Sequence, residues 1–157
     1  MITLRARSGS TVSLKQIPDG LSKTYFCGEK SLEPHCYDGQ GTGDCPADNG
    51  SVFQGWDWDI IRWAWNSPTT KPADATDSAK VGGHDWRPLR DENHDASETT
   101  DWGNGLRWGM TNFGSLHASG CFFVMCDGSV HPITYSVDAR INYRLANRRD
   151  GINVQLP

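Results

Sequence analysis

The chain has 157 residues, 36% of them hydrophobic, with 17 Gly, 8 Pro, 7 Trp and a formal net charge of -4. That length suits one domain, so residues 1–157 are read as a single unit with enough chain for one core. A mean hydropathy of -0.59 and a pI near 5.6 argue against nucleic acid as the partner, because phosphate binding needs a clustered positive surface.

In chain order, Ile2 to Leu14 predicts a short strand and turn, and the Pro18-Asp19-Gly20 turn leads into a buried strand over Thr24 to Gly28. Residues 31–50, with repeated Gly and with Pro34 and Pro46, read as loop, as do residues 66–105, which carry Pro68, Pro72 and Pro88 and no periodicity. Between them lies the aromatic run GWDWDIIRWAW, where a strand would put Trp56 and Trp58 on one face and Ile60, Ile61 and Ala64 suit a short helical turn. Cys121 to Cys126 (CFFVMC) has no helical stripe, is bounded by Gly120 and Asp127-Gly128, and precedes Val130, Ile133, Tyr135 and Val137 in rough alternation. This pattern predicts a hairpin, and Asp-Gly suits a two-residue type I′ turn with positive φ at both central positions. Asp138 to Asn147 predicts a terminal helix with Ile141 and Leu145 four apart and Asn147 at its end. The expected fold is α+β: a small antiparallel sheet with long irregular loops and a short C-terminal helix.

Five cysteines fit an oxidising compartment. Cys36 and Cys45 bracket a glycine-rich loop with little apolar content, where a crosslink supplies order that packing does not. Cys121 and Cys126 are five apart on a predicted strand, point to opposite faces and cannot join each other. Cys27 pairs with one of them if the two apolar runs lie side by side; otherwise all three are buried free thiols.

Three groups of residues invite a metal or catalytic reading. His35, Cys36 and Cys45 with Asp38, Asp44 and Asp48 lack the paired spacing of structural zinc sites. The oxygen-rich run from Asp38 to Asp44 has instead the general chemistry of calcium loops, which makes Asp38, Asp44 and Asp48 candidate Ca2+ ligands against a plain stapled loop. His84, Asp85, Asp91, Glu92, His94 and Asp95 offer two His-carboxylate pairs, yet the segment reads as solvated loop. Arg140, Arg144, Arg148 and Arg149 read as a solvated helix face. His117 with Asp127 invites an acid/base pair, but ten residues of extended strand separate them by roughly 30 Å. The expected roles are structural: the His117 imidazole anchors the Gly114 to Gly120 loop by hydrogen bonds and Asp127 closes the turn. The chain holds no nucleophile elbow, phosphate-binding loop or H-E-x-x-H, so no catalytic residue is named and no enzymatic activity is expected.

His117, Asp127 and Gly128, in an H-x9-DG arrangement, resemble the signature of the prepilin-type DUF1559 family of pilin-like surface proteins of planctomycete-type bacteria. Val12 to Lys30 resembles a second family segment through Ile17, Asp19, Gly20, Ser22, Thr24, Gly28 and Glu29, with Leu21 and Lys23 departing from it. Arg144 to Gly151 (RLANRRDG) is similar to the family's C-terminal segment, with Ala146 in place of Gly. The resemblance implies the extracytoplasmic head of a pilin-like or pseudopilin-like subunit, structural in a filament or secretion apparatus. Partners would be other pilin-like subunits, and the membrane would be touched only through an N-terminal apolar helix. Residues 1–30 hold no apolar run near the 18 to 20 residues a span requires, so the chain reads as the globular part without that helix, with a sheet face left for it to cover. Some pseudopilins bind calcium near the sheet, which the resemblance adds to the Ca2+ reading. The alternative is a carbohydrate- or solute-binding module, the latter a grouping also given to the family. In it Trp56, Trp58, Trp63 and Trp65, with Trp86, Trp102 and Trp108, stack on sugar rings unless they are core.

Overall fold

The computed structural model describes residues 12–37, 45, 48, 50, 53, 60–64, 80–81, 84–93 and 111–157. The fold is α+β. Its strands are β1 (Tyr25–Gly28), β2 (Lys80–Val81), β3 (His84–Asp85), β4 (Leu89–Arg90), β5 (Gly114–Ser115), β6 (Gly120–Met125) and β7 (Val130–Thr134), followed by the helix α1 (Ala139–Ala146). The main sheet has the order β1-β6-β7 and is antiparallel throughout. Two small pairs accompany it, β2 with β3 antiparallel and β4 with β5 parallel. Among the described residues no helix is long and apolar enough to cross a membrane.

Strand β6 shows why this sequence folds as it does. Cys121, Phe123 and Met125 are buried while Phe122 is exposed and Val124 half-buried, the period of two that a half-covered strand requires. On the buried face Tyr25 stacks on Phe123 with ring centroids 4.0 Å apart, and Phe113 meets Phe123 at 4.9 Å. Ile133, Val137, Leu145 and Val154 complete this core. Gly28 sits where a Cβ would lie 2.6 Å from the Phe123 ring, so the stack leaves no room for a side chain there.

Helix α1 closes the core from the C-terminal side. The Asp138 carboxylate caps it, accepting from the backbone N–H groups of Arg140 and Ile141 at 2.8 and 3.2 Å. Leu145 faces the core, and buried Asn142 donates to the Trp86 carbonyl at 3.1 Å.

Four local expectations are corrected. Leu14 lies in a 3-10 turn, Leu14–Gln16, rather than a strand, and the rest of the predicted Ile2 to Leu14 element is outside the described residues apart from Val12 and Ser13. Residues 60–64 are not helical: the Trp63 N–H donates to the Thr111 carbonyl at 2.9 Å and Trp63 bridges Asn112 in parallel fashion. Strand β7 ends at Thr134, short of Tyr135 and Val137. The hairpin turn is not type I′, since no non-glycine residue among those described has positive φ. Gly128 N–H donates to the Met125 carbonyl and Met125 N–H to the Ser129 carbonyl, with Gly128 at φ 87°. This is a three-residue connection of the type I plus bulge kind, and Asp127 keeps ordinary backbone angles because its carboxylate turns forward onto Ser129.

Candidate functional site

The residues singled out by the sequence converge at the two ends of the main sheet. At one end, Asp19 accepts from the backbone N–H groups of Asp150 and Gly151 at 2.8 and 3.0 Å, tying the first Asp-Gly turn to the last. Cys126 N–H donates to the Thr24 carbonyl at 2.8 Å and Asp127 N–H to the Leu21 carbonyl at 3.2 Å, so the hairpin tip sits on the same corner. Gly20, Gly128 and Gly151, each following an aspartate, all have positive φ. The three segments, far apart in sequence, thus form one clasp.

Asp127 closes the turn through Ser129. Its Oδ1 accepts from the Ser129 hydroxyl at 2.6 Å and from the Ser129 N–H at 2.9 Å. The hydroxyl bond first, then the N–H bond, hold its carboxyl below the usual carboxylate range. The His131 Nε2 lies 3.0 Å from the same hydroxyl. The serine has one proton and gives it to the carboxylate, so the imidazole faces an oxygen acceptor; this is the reverse of the polarity in which a histidine takes a proton from a serine nucleophile.

At the other end, Glu29 continues the pairing of β1. Its N–H donates to the Phe122 carbonyl at 3.1 Å, and its Oε2 accepts from the Phe122 N–H at 2.7 Å. His117 Nε2 stands 3.6 Å from Glu29 Oε1, and its ring meets the Phe122 ring edge-on at 5.6 Å. His117 and Asp127 therefore share no partner. The His117 ring thus meets Glu29 at the edge of the sheet, and the carbonyls of the Gly114 to Gly120 loop are met by Tyr135. Its hydroxyl lies 2.9, 2.6 and 3.2 Å from the carbonyls of Ser115, His117 and Gly120. Burial, then nearby Cys121 and Asp91, push the Tyr135 phenol up to about 12, which keeps it a donor. Nothing in the sequence spacing marks Tyr135, because its partners lie across a tertiary gap.

The acidic run of residues 84–95 is not all solvated. Asp91 is buried and accepts from Tyr37 Oη at 2.6 Å, Leu32 N–H at 3.1 Å and Ser31 Oγ at 3.4 Å. Burial, then the bond to Asp91, raise the Tyr37 phenol well above its ordinary range. Glu92 pairs with Arg90 at 3.0 Å. His84 and Asp85 form β3, and His94 and Asp95 lie outside the described residues.

Cys36 and Cys45 form a disulfide, which points to an oxidising, extracytoplasmic location. Cys27, Cys121 and Cys126 are free. The two apolar runs do lie side by side, but the register sets Cys27 opposite Val124, away from either cysteine. Cys121 alone is fully buried, and burial raises its thiol to about 12; Cys27 and Cys126 are half-buried. Of the candidate calcium ligands, Asp38 and Asp44 lie outside the described residues, and Asp48 pairs with the Lys30 ammonium. Of the tryptophans, Trp56, Trp58, Trp65, Trp102 and Trp108 lie outside them. Trp63 stacks on buried Trp86 at 6.0 Å, so these two indoles pack on one another. In the basic tail, Arg148 donates to the Gln16 carbonyl at 2.8 Å and Arg140 lies 3.7 Å from Asp138, while Arg149 is exposed.

The architecture is that of a small sheet domain whose marked residues serve as hydrogen-bonded corners. Residues 4–140 match the family model of proteins of unknown function called DUF1559, and the chain belongs to that family. No curated protein and no solved structure matches it.

Proposed function

We propose that this chain is the extracytoplasmic head of a pilin-like or pseudopilin-like subunit, with a structural role in a filament or secretion apparatus. One observation supports this reading above the others. The main sheet carries apolar residues on both faces, and among the described residues only one face is roofed by a further layer. On the outer side the cross-strand pairs Phe122 with Pro132 and Val124 with Val130, and Cys27 beside Val124, make an apolar strip. Phe122, Val130 and nearby Phe26 are 43%, 59% and 58% exposed. A greasy face of this kind marks an interaction surface, and an apolar helix joined to the N-terminal side of the domain is the occupant that would let such heads assemble. The Cys36–Cys45 disulfide suits the extracytoplasmic side.

The test places a charge on that strip. Val124→Asp in the full-length gene product, in the cells that make it, is expected to abolish subunit assembly while the isolated domain keeps its fold by circular dichroism. A photo-crosslinking residue at position 122 is expected to capture an apolar helix of a subunit. Normal assembly of the Val124→Asp protein, or capture of no helix, would sink the proposal.

A further inference from the structure

Away from the sheet, the described residues include one group with the chemistry of a soft-metal site. The ligand atoms of His35, Cys36 and Cys45 all lie within 4.8 Å of one another. A 3-10 turn, Pro34–Cys36, sets this up: Cys36 N–H donates to the Glu33 carbonyl at 2.9 Å, which places Glu33, His35 and Cys36 on one short turn. The His35 Nε2 stands 3.5 Å from Cys36 Sγ. Tetrahedral zinc, with Zn–S about 2.3 Å and Zn–N about 2.0 to 2.1 Å, sets a sulfur and a nitrogen ligand about 3.5 to 3.6 Å apart. The histidine and the first cysteine are therefore already spaced as two ligands of one ion.

A second observation points the same way. Glu33, nearly buried, holds His35 Nδ1 at 3.1 Å. In the neutral imidazole that carboxylate assigns the proton to Nδ1 and leaves the Nε2 lone pair aimed at Cys36, whose disulfide sulfur has no hydrogen to give. A carboxylate behind a histidine, fixing its tautomer and raising its basicity, is the usual outer partner of a metal-bound imidazole. Both sulfurs are buried, while the imidazole is half exposed and gives an ion its approach.

We propose that the Cys36–Cys45 disulfide gates a zinc-class metal site made of His35 Nε2, Cys36 and Cys45, with Glu33 orienting the imidazole. A dithiol reductant opens the gate. One of its thiolates attacks a cystine sulfur to give a mixed disulfide, and its second thiol resolves that bond. The reductant leaves as its own disulfide, having delivered two electrons and two protons, and Cys36 and Cys45 are thiols. Binding the ion displaces both thiol protons to solvent, the imidazole enters neutral, and water takes the fourth position. In the oxidised form neither sulfur carries charge and the ion is not held.

The experiment uses the whole chain carrying Cys27→Ser and Cys126→Ser, so that the one other thiol is buried Cys121. The protein is treated with dithiothreitol, freed of it without air, and titrated with Co2+ and then Zn2+, beside the untreated form. Reduced protein is expected to bind one Co2+ with thiolate-to-cobalt charge-transfer absorption, lose it to Zn2+, and release two protons per Zn2+ bound in an unbuffered titration. Untreated protein is expected to show none of this. His35→Ala is expected to weaken binding tenfold or more and Glu33→Gln about tenfold. Exposed His35 leaves the core untouched, so formation of the disulfide in His35→Ala provides a control for folding. Absence of the charge-transfer band after reduction, equal binding by the untreated protein, or unchanged affinity in His35→Ala would each overturn the proposal.

Discussion

The two faces of the main sheet are made of similar residues and meet opposite fates. Phe123 and Phe122 are neighbours on β6, yet Phe123 is completely buried under Tyr25 and Phe113 while Phe122 is 43% exposed. The covered face is roofed by helix α1 and the Val154 segment, which the chain supplies; on the outer face the strip from Phe122 to Val130 meets no comparable layer among the described residues. The lesson is that apolar alternation alone does not locate a core. What decides is which face the capped helix and the clasped tail are led to.

The sharpest way to break this comparison is to truncate each phenylalanine in turn. Phe123→Ala removes a ring packed on two others and is expected to cost about 3 to 5 kcal/mol, read as a lower urea midpoint. Phe122→Ala is expected to stay within about 0.5 kcal/mol. Comparable losses would mean that the outer face is covered in solution.

The clasp that leads the tail over the closed face comes next. Asp19→Ala leaves the Asp150 and Gly151 N–H groups without their acceptor. Because both lie near solvent, the expected loss is about 1 to 2 kcal/mol, with amide exchange rising first over residues 150–154. Asp19→Asn keeps one acceptor oxygen and should recover part of it. Gly128→Ala should cost about 1 kcal/mol, since a Cβ there meets nothing within 4 Å and the penalty comes from φ 87° alone.

Much of this body was legible in the sequence because its signals are local. The apolar run CFFVMC, without a helical stripe and bounded by Gly120 and Asp127-Gly128, places β6, and Ile141 and Leu145 four apart place α1, whereas the Asp138 cap is seen only in the structure. A glycine-rich loop between Cys36 and Cys45 pointed to their disulfide. What stayed hidden depends on partners distant in sequence. The pairing of Leu89–Arg90 with Gly114–Ser115 is too short to carry periodicity, and Asp91 reads as solvated until Ser31, Leu32 and Tyr37 are brought to it. His117 drew attention for its chemistry, while Tyr135, which spans three carbonyls, looked like one more strand residue. The turn type failed for a simpler reason: a carboxylate that bonds two residues ahead competes with the left-handed backbone that type I′ demands.

The smallest effect concerns the hairpin tip, which belongs to neither face. Ser129, by its hydroxyl first and its N–H second, lowers the Asp127 pKa in the folded chain. Unfolding removes those donors and returns the carboxyl to its ordinary range near 3.8. Between the two values the unfolded chain binds a proton that the folded chain does not, so acid favours unfolding. The contribution is fully present above the unfolded value and is lost as pH falls through the folded one. Ser129→Ala removes the leading cause and should flatten the stability profile below pH 4 while leaving it unchanged at neutral pH apart from a constant offset. Urea midpoints measured across that range for the parent and Ser129→Ala check this: parallel profiles would mean that the tip bond does not persist in solution, whereas a shallower acid slope in the variant would assign the titration to Asp127, whose carboxylate accepts from the Ser129 hydroxyl that the substitution removes.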